Sequence, residues 1–183
     1  MVLLRMERCS FVNENNKKYI DYHDNEWGVP KNDDKYLFEM LVLESFQAGL
    51  SFECVLNKRD NMRMAFSNFD YEEISQYDEE KVLELLKNKG IIRNRLKIMA
   101  MIENAKIFIK IRNEYGSFSN YIWSFTDNKI IKHVYLTKNN LSDRISNDLY
   151  KRGMRYVGSI IIYSYLQAIG IINDHEINCY LGK

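Results

Sequence analysis

Two pairs of potential metal ligands stand at opposite ends of this 183-residue chain: Cys9 and His23 near the start, His175 and Cys179 near the finish. The second pair has the spacing H-x3-C. That spacing puts both side chains on one face of a helical turn, or lets a loop converge them. Two imidazoles and two thiolates are the ligand set of a closed tetrahedral zinc site. Such a site keeps no open position for water, so its work would be structural: it would tie the N-terminal segment to the C-terminal tail. Structural zinc binds with apparent energies on the order of 10–16 kcal/mol, enough to hold termini that would otherwise fray. Spacing alone leaves a plainer reading open, in which His23 caps a turn and Cys179 is a tail thiol. His133 has no partner in view and reads as a surface or turn residue. Cys54, among apolar neighbours, reads as a small core side chain.

The second chemical feature is a carboxylate. In "KYLFEMLVLESFQAGLSF", Leu37, Leu41 and Ala48 share one helical stripe, and Glu44 falls on it. An acid there faces the interior or a cleft, and desolvation raises its pKa unless donors compensate. A buried acid beside a Gly-Leu turn is a site candidate. The alternative is a structural glutamate that caps a loop or pairs with an arginine. Glu39, by contrast, is expected to point to water. Tyr22, Trp27, Phe46 and Phe52 gather around the same region by sequence, with Phe11 beside Cys9. Aromatic sets are usually core, but several of these lie in irregular segments, which suits a lined pocket.

The elements that must position these groups read as helical nearly throughout. Asp33 or Asp34 caps a helix to about Ala48, and a second runs from about Phe52 to Phe66. Asp78 caps "EEKVLELLKNK", ended by Gly90. A long helix spans Arg93–Tyr115 with Leu96, Met99, Ala100, Ile102 and Ile107 as its apolar positions. "SNYIWSF" is a short helix, 126–141 is irregular, and Ser142 caps "DRISNDLYKR". "SIIIYSYLQAI", apolar nearly all round, is a central buried helix ended by Gly170. The reading is an all-α bundle, one domain over residues 1–183, with two closely packed helical subdomains possible.

Composition narrows the function classes. Apolar residues make up 46% and charged residues 28%, and the formal net charge is +1, so no global field draws the protein to nucleic acid. A local patch is available: Lys87, Lys89, Arg93, Arg95 and Lys97 lie in an acid-free stretch, though such a run is also what a solvated helix face looks like. No apolar run approaches the roughly 18 residues that span a membrane. "MVLLRMERC" has no signal-peptide pattern, and three cysteines make no disulfide framework, so a reducing cytoplasm is expected. Met6 could be the natural start, with residues 1–5 an extension.

Taken in order, "MERC", "YHDNEWGVP", "LFEMLVLESFQAGLSF", "GIIRNRLKI", "YIWSF", "KRGMRYVGSIIIYSYLQAIGIINDH" and Cys179 resemble the type I 3-methyladenine DNA glycosylase (Tag) family of the helix-hairpin-helix glycosylase superfamily. The match covers almost the whole chain from Met6. The resemblance implies a helix-hairpin-helix bundle whose Cys9, His23, His175 and Cys179 hold a structural zinc ion. It implies a DNA repair hydrolase that flips out 3-methyladenine and cleaves its N-glycosidic bond, without lyase activity. Glu44 matches the pocket carboxylate and stands as the catalytic candidate, as base or as binding group. Tyr22 matches the tyrosine that contacts the base, and Trp27 falls in the same pocket motif. Gly49 and Leu50 match the loop that probes the duplex. Gly153, Gly158 and Ser159, in "GMRYVGS", resemble the hairpin that offers backbone N–H groups to phosphates; "KGIIRNR" is the other candidate backbone contact. The family lacks the catalytic aspartate of most of its superfamily, and no position here is identified as restoring it.

This chain departs from the family pattern at two places where tryptophan is common: it has Phe52 and Phe11. Phenylalanine keeps a stacking face with less area and a weaker quadrupole. The expected partner is double-stranded DNA carrying alkylated bases, met by a monomer away from any membrane. The competing readings are a non-catalytic DNA-damage binding module on the same scaffold, a glycosylase for another lesion such as 3-methylguanine, and a helical structural protein with incidental zinc.

Overall fold

A computed structural model describes residues 7–182; the extension 1–5 and a start at Met6 lie outside the described residues. The described chain is helical, in the order α1 (Lys17–Asn25), α2 (Asp34–Gln47), α3 (Phe52–Ala65), α4 (Tyr71–Ile74), α5 (Glu79–Lys87), α6 (Arg95–Tyr115), α7 (Phe118–Ser124), β1 (Ile131–Lys132), α8 (Asn140–Lys151), α9 (Ser159–Ala168) and β2 (Ile172–Asn173). The two strands, each two residues long, pair in parallel, Ile131 with Ile172 and Lys132 with Asn173. They are the only departure from all-α among the described residues, and no described helix is long and apolar enough to cross a membrane.

The bundle is built around α2. The Asp33 side chain accepts from Tyr36 N and starts the helix, as expected, and Leu37–Phe46 are buried without a break. A helix apolar on every side needs neighbours on every side, and α3, α6, α7 and α9 supply them. Glu44 is therefore not singled out by one stripe: the whole helix is interior. The same fact overturns the expectation for Glu39, which is 7% exposed. Arg59 Nε donates to its carboxylate at 2.8 Å and Arg63 Nε at 2.7 Å. Arg59 also donates to Glu26 at 2.8 Å, and Tyr36 OH to Glu26 at 2.9 Å. This ionic cluster binds α1, α2 and α3 together where apolar packing would otherwise be expected.

The long helix α6 starts at its Asn94 cap and ends at Gly116 in left-handed backbone, φ +82°. Leu96 and Met99, read as core, are 67% and 44% exposed. Lys97 is the reverse case: it is buried, and its Nζ donates to the carbonyls of Phe46 and Ala48 at 2.7 and 2.6 Å. It satisfies the open C-terminal end of α2. Arg95 pairs with Glu79 at 2.7 Å. The basic run is thus divided between a helix cap, an ion pair and solvent, and is not one patch.

Several helix boundaries differ from the sequence reading. α5 stops at Lys87 with Asn88 as its C-cap, short of Gly90. α8 is capped by Asn139, with Ser142 as the reciprocal partner in a capping box; both residues are good caps, and the earlier one wins by pairing with the later. "YIDYHDN" is helical: Tyr22 and His23 sit in the last turns of α1, a helix the sequence reading did not place. The loop between α8 and α9 is held from below. Asn104 on α6 exchanges two 2.9 Å hydrogen bonds with the backbone of Arg155, and Ser45 on α2 donates to Tyr156 O at 3.1 Å.

Candidate active site and metal cluster

Consecutive residues of α1 serve two sites. Around a helix, neighbouring side chains diverge by about 100°, so Tyr22 and His23 face different ways. His23 joins Cys9 and Cys179: the ligand atoms of these three buried residues lie within 4.8 Å of one another. The His23 Nε2 to Cys179 Sγ distance is 3.6 Å. His175 is adjacent and not within that group, its ring 5.0 Å from the His23 ring between centroids. No helix carries the C-terminal pair; a loop brings His175 and Cys179 in.

The donor set fits a metal on local grounds. His23 Nδ1 lies 2.8 Å from Asp24 Oδ1, and His175 Nδ1 lies 2.8 Å from Asn173 Oδ1. Each ring has its Nδ1 engaged, and His23 turns Nε2 toward Cys179, the arrangement in which a metal-binding histidine is oriented by an outer partner. His175 Nε2 is buried with no hydrogen-bond partner. Burial, with Cys179 adding to it, pushes the Cys9 thiol up to about 12, and burial beside His23 lowers His175 to about 4. Both shifts favour neutral groups, and a bound cation would reverse that by holding thiolates. Gly28, at φ +71°, lets the turn after α1 lie against this cluster, since a Cβ there would meet the His175 ring at 2.8 Å.

Tyr22 faces the other way, into a cavity of about 280 Å³. Phe11, Trp27, Glu44 and Phe52 line it too, so the sequence-predicted pocket residues meet in one place. Tyr22 and Phe52 stand 4.9 Å apart between ring centroids, as do Phe11 and Trp27. Trp27 also stacks on His23 and meets His175 edge-on, so its ring is the wall between the cavity and the Cys/His cluster. Glu44 is 3% exposed and its Oε2 has no hydrogen-bond partner. Burial alone pushes its pKa up to about 8. Burial, with Glu44 second, also holds Tyr22 well above its usual range. Among the described residues no lysine or arginine lines the cavity, whereas Glu44, Asp174 and Glu176 do. An aromatic box whose buried acid Glu44 has an unpartnered oxygen is suited to a flat cationic ligand.

Sequence reasoning missed part of the lining. Tyr19 and Gln47 enter at helical spacing from Tyr22 and Glu44, a signal that was available. Ser164 and Gln167, one turn apart on α9, enter from a helix read only as core, and Tyr135 and Asp174 enter from loops that carried no signal. His133, thought unpartnered, lies 2.8 Å from Tyr135 OH through Nδ1. Cys54 is half-buried, not core.

The remaining predicted residues lie at two exposed turns. After α2, Gly49 has φ +79° and Leu50 is 42% exposed. Between α8 and α9, Gly153 has φ +107°, while Gly158 has an ordinary φ of −59° and open space where a Cβ would stand. Nothing among the described residues requires glycine at Gly158. The Ser159 hydroxyl is turned inward, 2.8 Å from that of Ser142.

A family model described as methyladenine glycosylase matches residues 12–182. The DNA-3-methyladenine glycosylase 1 of Escherichia coli K12 is 43% identical over 180 residues, 95% of this chain and 96% of that one. The DNA-3-methyladenine glycosylase of Haemophilus influenzae Rd is 39% identical over 178 residues, 94% and 96% of the two chains. Among solved structures, a crystal structure of 3-methyladenine DNA glycosylase I superimposes with a TM-score of 0.93 at 43% identity, covering 97% of this chain and all of the other. A Staphylococcus aureus structure, described as the basis of 3-methyladenine recognition, gives 0.92 at 32% identity and 97% coverage of both.

Proposed function

This chain belongs to the methyladenine glycosylase family, and on that premise we propose that it excises 3-methyladenine from alkylated double-stranded DNA by hydrolysing the N-glycosidic bond. The observation that carries the reading is Glu44: a buried, unpartnered acid on the wall of an aromatic cavity. Methylation at N3 makes the base cationic and turns it into a good leaving group, so the enzyme's main tasks are extrusion and selection. Flipping costs a few kcal/mol, less for a damaged base. Leu50, exposed on the Gly49 turn, fills the vacancy. Phe11, Trp27 and Phe52 stack on the cation, each good face contributing about 0.5–2 kcal/mol, and Tyr22 contacts its edge. Glu44, kept neutral by the empty pocket, becomes a carboxylate when a cation enters, because opposite charge restores the ionised form. A neutral adenine gives no such return. Among the described residues no cavity-lining lysine offers a Schiff base, and the reaction is monofunctional.

The α8–α9 turn reads as the hairpin of a helix-hairpin-helix element. The uncapped start of α9 and the vacant space at Gly158 suit backbone N–H groups of Ser159 and its neighbours meeting a phosphate, with Gly153 shaping the turn. Cys9, His23, His175 and Cys179 would hold zinc, which when bound supplies structure and no reacting position. The protein acts as a cytoplasmic monomer in base excision repair. The test is release of free base from methylated duplex DNA under single-turnover conditions, with Glu44→Gln alongside. Free 3-methyladenine is expected from wild type and at least about 10²-fold slower from the variant. DNA binding without base release would instead leave a non-catalytic binding module.

A further inference from the structure

One helix reaches both exposed turns. Lys97 on α6 donates through Nζ to the carbonyls of Phe46 and Ala48 at 2.7 and 2.6 Å, at the end of α2. Asn104 on α6 exchanges two 2.9 Å hydrogen bonds with the Arg155 backbone, in the turn between α8 and α9. Lys97 and Asn104 are two helical turns apart, so they share one face of α6 at a rise of about 10 Å. Both are buried.

The turn after α2 has little packing of its own. Ala48 leaves the helix at φ −46° and ψ 112°, Gly49 has open space where a Cβ would stand, and residues 49–51 are exposed. Leu50 N donates to the Gln47 carbonyl at 2.6 Å, and Lys97 takes the carbonyls on either side of it. Three consecutive acceptors at the end of α2 are thereby fixed. Lys97 is 6% exposed, burial alone lowers its pKa, and among the described residues no carboxylate pairs with it. A buried charge is costly unless it is compensated, and here the negative end of α2 is what compensates it. An apolar side chain would avoid that cost and leave both carbonyls without this donor. Glu44 and Gln47 line the cavity from the last turn of the same helix, so the Lys97 grip also sets where Leu50 stands relative to the cavity.

We propose that Lys97 is a positioning residue, holding the Gly49–Leu50 turn so that Leu50 enters the duplex while the extruded base lies in the cavity. The inference rests on the glycosylase reading, in which Leu50 fills the vacancy. Lys97 does not line the cavity; it acts through the backbone of α2.

The test measures binding to two duplexes, one intact and one carrying a tetrahydrofuran in place of a nucleoside. Wild type is expected to bind the tetrahydrofuran duplex at least about tenfold more tightly, because that duplex already holds a gap and has no base to unstack. Lys97→Met is expected to lose most of that preference, as is Leu50→Ala. In the Leu50→Ala background, Lys97→Met is expected to change the preference by less than about twofold, because a group that acts through Leu50 has nothing left to position. Binding of free 3-methyladenine, read by tryptophan fluorescence, should stay within about twofold of wild type in Lys97→Met. Equal weakening on both duplexes overturns the proposal and makes Lys97 a phosphate contact or a general support. So do losses that add in the double variant, and so does a wild type with no preference. Lys97→Gln, which keeps an amide donor, is carried in parallel; if neither Lys97 variant folds, Lys97 supports the fold and the proposal fails. Excision of 3-methyladenine by wild type is scored separately, so failure here leaves the glycosylase reading standing.

Discussion

Replacing Glu44 by glutamine should make the protein more stable, and the gain should grow with pH. Burial raises the Glu44 pKa from 4.5 to about 8, and no donor or cation offsets it. The folded state therefore holds a proton that the unfolded state has lost, across the window from 4.5 to about 8. Stability contributed by a neutral Glu44 is full below 4.5 and is lost as pH rises through that window. At about 1.4 kcal/mol per unit, the ceiling is about 5 kcal/mol, and the part falling between pH 5.5 and pH 9 is about 3 kcal/mol. Glutamine is close in shape and does not titrate. Urea unfolding of both proteins at pH 5.5, 7 and 9, with zinc held constant, reads the difference directly, since every other titrating group cancels. The variant should gain about 3 kcal/mol on wild type from the lowest pH to the highest. A difference flat within about 0.5 kcal/mol would mean that Glu44 is solvated or paired, and the account of its pocket would fail. The gain in stability comes with the loss of excision expected above, the trade found where function needs an uncomfortable residue.

Arg59→Met should cost about 3–5 kcal/mol in denaturant unfolding, because it removes a charge partner from buried Glu39 and from Glu26; a loss under 1 kcal/mol would show Arg63 carrying Glu39 alone. Cys179→Ser should lower bound zinc, measured by elemental analysis, well below one equivalent and reduce the melting temperature, whereas an unchanged metal content would remove Cys179 from the ligand set. Leu50→Ala should leave stability within about 0.5 kcal/mol, as expected for an exposed side chain, yet slow excision from duplex far more than from single strands. Equal slowing on both would refute its gap-filling role.

The helices were largely legible because caps and apolar runs are local: Asp33, Asp78 and Gly116 mark ends that chain neighbours alone determine. Glu44 was legible as a buried acid, although the stripe that pointed to it proved to be one side of a helix buried all round. Glu39 was misread because its partners, Arg59 and Arg63, lie one helix away, and no periodicity announces an ion pair between helices. Lys97 failed for the same reason: a lysine inside a basic run gives no hint that it caps another helix. Asp174 was hidden between a motif histidine and a strand, its four donors coming from residues 134, 135, 163 and 167. Local pattern shows where a side chain sits on its own element; what it meets across the bundle is set by the packing.

One turn of α1 has Tyr22 on one side and His23 on the other, and the Trp27 ring is the partition between their two chambers. Clamp and cradle thus share a single piece of backbone. Loosening the grip on His23 would disturb Tyr22 and Trp27 as well, so under the proposed function the fastening of the chain's two ends would set the shape offered to the base.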